Sequence, residues 1–341
     1  MYGAKELCAV LLLTTILSFE SGDSINVPTT HSNDWLSYIS TFPGKKDAPY
    51  PKYYYNYNTK LINSHNSKAN RDPQRFTYTL GENQFTDMRL IHFSALFPKT
   101  TPPPTTTTAT DPPAVQTASP TFDFITDLQL DIQVEDQGTV CNSGWAYATA
   151  KAVEVYAASE TMSTARLSAQ NLIDCAGAGI GCTRQVAQTA FEYLVKYQQP
   201  LYTETDYENK NWLTTQEMCI PPTNPASTPV TVASYSQINN PDDDTIMQYV
   251  SAQFPVVIEY DPTSFDFMHY KSGIFQQPHT KGGSHYMTVM GYGADAKTGL
   301  NYWLVLNSFG TTWGEDGYIR ILRDSSKPLT RVALFPTGFA P

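Results

Sequence analysis

The pattern of apolar and polar positions opens with a segment unlike the rest of the chain. Residues 7–17 form an apolar run that only two threonines interrupt; Lys5 precedes it and polar residues follow it. The run is too short to span a bilayer, and it has the form of a cleaved secretory signal. We therefore expect residues 1–22 to be removed from the mature protein.

The remaining periodicity predicts helices first and strands later. Apolar residues at helical spacing in 53–62 indicate an amphipathic helix within a first unit at about 33–97. The alanine-rich stretch 145–158 predicts a long helix, and 167–175 and 184–196 predict shorter ones. Beyond residue 225, short β-rich runs predict strands at 230–232, 255–260, 286–292, 302–306 and 318–322. This order is typical of an α+β fold with segregated halves.

A tract of threonine and proline separates the two units. It contains the run Thr-Pro-Pro-Pro-Thr-Thr-Thr-Thr at 101–108. Such a composition cannot bury a core, so it predicts an extended linker at 98–121.

Charge is distributed unevenly along the chain. Residues 122–341 carry 12 Lys and Arg against 23 Asp and Glu, a net charge of −11, whereas residues 23–121 carry 9 against 7, a net charge of +2. An acidic C-terminal module argues against nucleic acid as a partner. No stretch after the signal is apolar enough to cross a membrane, so we expect no membrane partner either.

Four cysteines remain once the signal is removed: Cys141, Cys175, Cys182 and Cys219. In a secreted chain an even number predicts two disulfides, but four cysteines allow three pairings. The count does not choose among them.

Several motifs follow one another in an order that points to one family. Residues 137–147 read Gln-Gly-Thr-Val-Cys-Asn-Ser-Gly-Trp-Ala-Tyr, and 302–314 read Tyr-Trp-Leu-Val-Leu-Asn-Ser-Phe-Gly-Thr-Thr-Trp-Gly. Residues 167–175 read Leu-Ser-Ala-Gln-Asn-Leu-Ile-Asp-Cys, and 83–87 read Asn-Gln-Phe-Thr-Asp. Over nearly the whole chain, these stretches resemble papain-like cysteine proteases of the cathepsin L-like type, which carry an inhibitory propeptide.

The resemblance implies a fold and a domain organisation. The fold is α+β and papain-like, with a helical lobe, a β-barrel-like lobe and a cleft between them, preceded by a helical propeptide. The expected domains are a signal peptide at 1–22, an inhibitory propeptide at 23–97, the linker at 98–121 and the papain-like domain at 122–341. The propeptide helix retains the family's asparagines as Asn58 and Asn66, and Pro51 is expected at its start because proline cannot sit inside a helix.

The family's mechanism assigns a role to each position of the site. A Cys at a helix N-terminus attacks, a His acts as base, an Asn orients the His, and a Gln helps to stabilise the oxyanion. Matched residue by residue, His285 stands at the base position, Asn307 at the orienting position and Gln137 at the oxyanion position. Gly144 stands where the nucleophile belongs, and glycine has no side-chain atom that could attack a carbonyl.

Other positions around the cleft also depart from the family's pattern. Tyr286 replaces the small residue that lines the main specificity pocket, and Phe309 replaces the Trp that shields the Asn–His hydrogen bond. The family's Gly-Cys-Asn-Gly-Gly reads Gly-Cys-Thr-Arg-Gln at 181–185. Gln137 lies one residue further from Cys141 than the family's spacing. Trp145 and Trp313 match the family and are expected to line the cleft.

The resemblance also selects a disulfide pairing, Cys141 with Cys182 and Cys175 with Cys219. Neither bridge depends on catalysis. No cofactor and no metal are implied.

The leading hypothesis is therefore a secreted or endolysosomal homologue that does not hydrolyse peptide bonds. It would act as a monomer by binding a peptide or protein in its cleft, with its own propeptide as a further ligand. Two alternatives stay open. One is an active cysteine endopeptidase whose nucleophile is displaced, and the other is a propeptide-type protease inhibitor carried on an inert domain.

Overall fold

The computed structural model describes residues 33–42, 44–100, 110–111, 113–161, 165–177, 179–183, 185–276 and 284–339. The expected signal at 1–22 and the central run of the Thr/Pro tract at 101–109 lie outside these residues.

Within the described chain, helices predominate before Val232 and strands predominate from Val232 onwards. The helices are α1 Asn33–Thr41, α2 Pro49–Arg71, α3 Leu90–Ala95, α4 Phe124–Asp127, α5 Gly144–Thr161, α6 Ala169–Cys175, α7 Ala187–Lys196, α8 Asp243–Ser251 and α9 Phe265–Met268. The strands are β1 Tyr78–Leu80, β2 Phe122–Asp123, β3 Val232–Asn239, β4 Val256–Tyr260, β5 Tyr270–Phe275, β6 His285–Ala294, β7 Asn301–Leu306, β8 Tyr318–Leu322 and β9 Val332–Phe339.

The chain divides into two compact units, Met1–Tyr53 and Tyr54–Pro341. In the first unit, the indole of Trp35 donates a hydrogen bond to Asp47 (2.8 Å) and stacks on Tyr38. Helix α2 begins at Pro49, so Pro51 lies in its first turn, where a backbone N–H has no intrahelical acceptor to lose. The helix thus starts two residues before the position expected from the sequence.

The helical half of the second unit is built around α5. Its residues from Gly144 to Ala158 are all buried, and many are alanines, so neighbouring helices can approach closely. Leu172 of α6 and Phe191 of α7 complete this core together with Val257 and Leu334 from the sheet. The disulfides Cys141–Cys182 and Cys175–Cys219 brace the same half, in the pairing that the family resemblance implied.

The strands form one sheet in the order β1-β5-β8-β7-β6-β4-β9-β3, and β2 pairs with β6. The pairings are antiparallel except that between β5 and β8. Within the described residues this path is open from β1 to β3, which corrects the expected β-barrel-like lobe. At one end of the path β1, from the N-terminal part of the chain, pairs with β5.

Residues 54–100, called here the N-terminal segment, are integral to this unit. Phe85, Phe93 and Phe97 are each at most 1% exposed and belong to the same hydrophobic core as the sheet. From α2, the Asn58 amide donates to two carbonyl groups of the 86–88 turn (2.9 Å each). The Asn66 side chain pairs with both backbone groups of Leu80. The asparagines of the helix pattern therefore hold the segment in its folded path.

The pairing of β1 with β5 requires a glycine at position 273. Gly273 of β5 has a φ of +97°, and a Cβ there would come within 2.3 Å of the Thr77 carbonyl oxygen. Only glycine permits this conformation and this close approach of two backbones.

None of the helices in the described part of the chain has both the length and the apolar character needed to cross a membrane.

Candidate active-site region

The four residues assigned to the catalytic positions come from four different places in the fold. Gly144 is the first residue of α5, His285 opens β6, Asn307 directly follows β7, and Gln137 lies in the loop before Cys141. All four are buried. The fold brings together the residues that the sequence matched to the family's positions.

The hydrogen bonds of Asn307 determine the tautomer of His285. Asn307 Oδ1 lies 2.8 Å from His285 Nε2 and accepts a second hydrogen bond from the Ser308 backbone N–H, also at 2.8 Å. An amide oxygen can only accept, so Nε2 carries the proton and Nδ1 presents a lone pair. Nδ1 is buried and has no hydrogen-bond partner among the described residues.

Burial keeps this imidazole neutral. His285 is fully buried, and desolvation lowers its pKa to about 4, although the hydrogen bond with Asn307 acts in the opposite direction. The ring is covered by two aromatic residues. Phe309 stacks on it with the centroids 4.9 Å apart, and Phe97 of the N-terminal segment contacts it edge-on at 5.1 Å.

The imidazole occupies the space that a side chain at position 144 would need. A Cβ on Gly144 would lie 2.5 Å from both Cε1 and Nδ1 of His285, and 3.2 Å from Gln137 Oε1. Carbon atoms do not approach that closely without displacement. Because the ring is held by Asn307 and enclosed by Phe309 and Phe97, moving it would disturb several contacts at once.

Gln137 makes its hydrogen bonds within the protein. Its Nε2 donates to the Cys141 carbonyl (3.3 Å), and its Oε1 accepts from the Ser308 hydroxyl (2.7 Å). The loop that sequence comparison identified as one residue longer holds Val140, which is 71% exposed. The longer loop thus holds its extra residue with the apolar side chain of Val140 exposed to solvent.

The three expected cleft residues are all buried. The Trp145 indole donates to the Gly181 carbonyl (2.9 Å), and the Trp313 indole donates to the Phe267 carbonyl (3.0 Å). Tyr286 is 5% exposed, and burial raises the pKa of its hydroxyl. The adjacent cavity, lined by Tyr286 and Asn307 among others, encloses about 10 Å³, which is room for a single water.

The N-terminal segment covers this region directly. The Gln84 amide donates to the Phe309 carbonyl, and its oxygen accepts from the Thr312 hydroxyl (2.9 Å). Phe85 packs against Phe309 with ring centroids 5.1 Å apart. The segment therefore contacts the loop that carries Phe309 and, through Phe97, also His285.

Sequence reasoning missed several residues of this region. Three of them, Phe93, Phe97 and Glu259, had a recognisable pattern in the sequence. Phe93 and Phe97 repeat at a spacing of four, the interval at which side chains on a helical turn share a face. Glu259 is a lone charge within the apolar run 255–260, and such a residue is rarely buried without partners. Ser284 and Thr100, which prove to be its neighbours, left no comparable signal.

Comparison with known proteins identifies the family. A profile described as "Papain family cysteine protease" matches residues 120–334. The chain belongs to the papain family of cysteine proteases. Fruit bromelain of Ananas comosus is 32% identical, over 82% of this chain and 78% of its own. A cathepsin L-like proteinase of Fasciola hepatica is 31% identical, over 82% of this chain and 86% of its own.

Solved structures of papain-family precursors share the fold. Digestive procathepsin L 3 of the Tenebrio molitor larval midgut superposes with a TM-score of 0.76 at 25% identity, covering 89% of this chain and 98% of that chain. The recombinant stem bromelain precursor gives a TM-score of 0.74 at 27% identity, covering 89% and 97%. These shares exceed the 120–334 range, so the likeness extends into the N-terminal segment.

Proposed function

We propose that this papain-family homologue does not hydrolyse peptide bonds and acts by binding, with its N-terminal segment retained as an inhibitory-type propeptide over the site. The observation that carries the proposal is the position of the His285 ring in the space above Gly144. A cysteine protease needs a thiolate beside its histidine. At this position the chain offers neither a nucleophile nor the room for one.

The base position is also unsuited to its family role. In active members the His forms an ion pair with the Cys, so the imidazolium must be stable. Here burial lowers the pKa of His285 to about 4, and the ring is enclosed by Phe97 and Phe309. With no thiolate opposite, the hydrogen bond with Asn307 offsets only part of the cost of charging the ring.

The neighbouring residues do not supply a replacement nucleophile. Cys141 is bonded to Cys182, so it has no free thiol. The Ser143 side chain is buried, and its hydroxyl donates to the Cys141 carbonyl rather than to His285. These contacts weigh against an active endopeptidase with a displaced nucleophile.

The retained segment bears on the remaining alternative, a propeptide that inhibits other proteases. Its apolar residues Phe85, Phe93 and Phe97 are buried in this chain's own core. A segment used in this way is not free to bind another enzyme, so we favour its role in cis.

Consistent with the signal expected at 1–22, we place the protein outside the cell or in the endolysosomal lumen.

A covalent probe tests the proposal. The full chain and a sample with the N-terminal segment removed by limited proteolysis are treated with a thiol-reactive epoxide, and the labelled residue is identified by mass spectrometry. An active papain-family protease treated in parallel serves as the positive control. We expect no labelling of this chain. Stoichiometric labelling of a residue beside His285, together with peptide turnover, would contradict the proposal.

A further inference from the structure

A second polar cluster lies beside the site and is not explained by its chemistry. Glu259 on β4 faces Tyr286 on β6, its direct partner across the antiparallel pair. The Glu259 side chain is only 4% exposed. Its Oε1 accepts a hydrogen bond from the Ser284 hydroxyl (2.6 Å), and its Oε2 accepts from Arg331 (3.2 Å). Carboxylates are rarely buried to this extent in the middle of a strand unless donors are directed at them.

The cluster holds one residue of the N-terminal segment. The Thr100 backbone N–H donates to the Ser284 hydroxyl (3.1 Å), and the Thr100 hydroxyl lies 3.5 Å from Glu259 Oε1. Burial raises the pKa of the neighbouring Tyr286 hydroxyl, and the Thr100 side chain acts to lower it. Thr100 itself is 6% exposed. The threonine side chain thus lies buried beside the Glu259 carboxylate and the Ser284 hydroxyl.

The chemistry of this pocket selects for a hydroxyl residue. An aliphatic side chain of the same size would remove the Thr100 hydroxyl from Glu259 Oε1 and leave that buried oxygen with the Ser284 hydroxyl as its donor. Three residues earlier in the same irregular stretch, Phe97 contacts His285, so the segment contacts this region at two positions.

We propose that Glu259, Ser284 and Tyr286 form a subsite that recognises the hydroxyl of threonine or serine in an extended peptide, and that Thr100 is its ligand in cis. The inference rests on the proposed binding function and names the class of ligand: a peptide with an aromatic residue three positions before a threonine or serine. The cis segment outcompetes such peptides through its high effective concentration.

Amide hydrogen exchange of the full chain tests recognition in cis. The variants are Thr100→Ser, which keeps the hydroxyl, Thr100→Val, which keeps the shape, Glu259→Gln and the double variant Thr100→Val/Glu259→Gln. We expect the peptide covering 97–100 to exchange at least about tenfold faster in Thr100→Val than in the wild type, since a hydrogen bond to a charged group is lost. Thr100→Ser should stay within about threefold of the wild type, a limit set well below the loss of one hydrogen bond.

The double variant separates recognition from a general loosening of the fold. Because Thr100→Val removes and Glu259→Gln weakens the same contact, the double variant should exchange no faster than the faster single variant. Equal exchange in Thr100→Val and the wild type, or additive effects in the double variant, would overturn the subsite. If Glu259→Gln does not fold, the Thr100→Ser and Thr100→Val pair still decides the outcome.

Binding in trans tests the ligand class. The receptor is the full chain with Phe97→Ala and Thr100→Val, whose own segment lacks both side chains. The probes are a fluorescent peptide of residues 96–102, Leu-Phe-Pro-Lys-Thr-Thr-Pro, and a matched peptide with valine at the first threonine. We expect the threonine peptide to bind at least about tenfold more tightly. Equal affinities, or no binding of the threonine peptide at about 1 mM, would overturn the inference.

Mass spectrometry of the recovered peptide separates this inference from the proposed function. A peptide that is bound with the threonine preference but recovered in cut form would refute the absence of hydrolysis and leave the subsite standing. A peptide recovered intact and bound without preference would refute the subsite alone.

Discussion

The imidazole of His285 lies so close to Gly144 that a Cβ on the glycine would be 2.5 Å from Nδ1. Gly144 and His285 thus form a packing contact in the place where an active papain-family protease holds an ion pair. The contact joins the two halves of the fold at the start of α5 and the start of β6. Because Gly144 packs against His285 where an active protease has an ion pair, changes at either residue should have measurable effects.

Adding a methyl group at position 144 should destabilise the protein. Gly144 is the first residue of α5, and alanine in a helix is normally favoured over glycine by up to about 1 kcal/mol. Because the new Cβ collides with a ring that is held on three sides, we expect Gly144→Ala to lower the free energy of unfolding by about 1–3 kcal/mol. Urea denaturation measures the sign, and a stabilised variant would show that the ring moves freely.

Restoring the nucleophile by Gly144→Cys should not restore the enzyme. The thiol has the same steric conflict with His285, and the Gln137 amide is bonded to the Cys141 carbonyl. Loss of one oxyanion donor alone costs about 10²–10³ in rate, so we expect peptide turnover at least about 10³-fold below that of an active relative. Fluorogenic dipeptide substrates measure it. Turnover within tenfold of the relative's rate would mean that the site is better preserved than we propose.

The two buried histidines should make the fold sensitive to acid. Burial lowers the pKa of both His285 and His269 to about 4, whereas the unfolded chain titrates near 6.5. Between these values the unfolded state binds more protons, so stability is greatest above pH 6.5 and falls as the pH drops towards 4. At 1.36 kcal/mol per unit, each histidine contributes about 3 kcal/mol to this loss.

Substitution isolates the contribution of His285. Burial raises the pKa of Glu135 to about 7 and that of Asp243 to about 6, which favours the folded state on acidification and offsets much of the histidines' effect. We therefore compare the loss of stability from pH 7 to pH 4.5 in the wild type and in His285→Gln, with His269→Gln as the matched variant. Each variant should lose about 2 kcal/mol less than the wild type. An unchanged loss in His285→Gln would show that the ring is not buried as described.

Removing Phe97 should expose the histidine. Phe97 is 1% exposed, and Phe97→Ala should cost about 3–5 kcal/mol of stability. It also opens one face of the His285 ring, so diethyl pyrocarbonate should modify His285 in the variant and not in the wild type. Phe93→Ala is the control, because Phe93 belongs to the same core but its ring packs on Phe97 and Phe309 rather than on His285. Equal modification in both variants would indicate general opening.

The disulfide Cys141–Cys182 should contribute to stability and not to any reactivity. It closes a loop with a sequence separation of 41, so the Cys141→Ala/Cys182→Ala variant should lose about 2–4 kcal/mol in urea denaturation. The Cys175–Cys219 bridge has a separation of 44 and should behave similarly when removed. A reactive thiol that appears on one cysteine of the intact wild type would contradict the structural role of these bridges.

The sequence predicted the parts of the fold that rest on long, regular patterns. Helix α5 and strand β8 lie where the patterns placed them, and the family motifs led to both disulfides. Strand β9 was missed, because Val332–Phe339 carries an internal proline, which argues against a strand. The β-barrel-like lobe is present as a sheet that is not closed, and no local pattern shows that β1 comes from outside the papain-like domain and pairs with β5.

The site was less predictable because it depends on contacts between distant residues. The motifs placed Gly144, His285, Asn307 and Gln137 in one region, but nothing local to position 285 indicates that its ring fills the space above Gly144. The same holds for the burial of Glu259 against Thr100, which are 159 residues apart. Such contacts arise from packing between elements and are read only from the folded chain.

The most direct measurement is peptide hydrolysis by the wild-type chain after the N-terminal segment has been removed. The protein is incubated with a mixed protein digest at pH values from 4 to 8, and new peptide termini are counted by mass spectrometry against a heat-denatured sample of the same chain. We predict no termini above that background at any pH. Thiol-inhibitor-sensitive cleavage that survives Cys141→Ala would contradict the absence of a catalytic site.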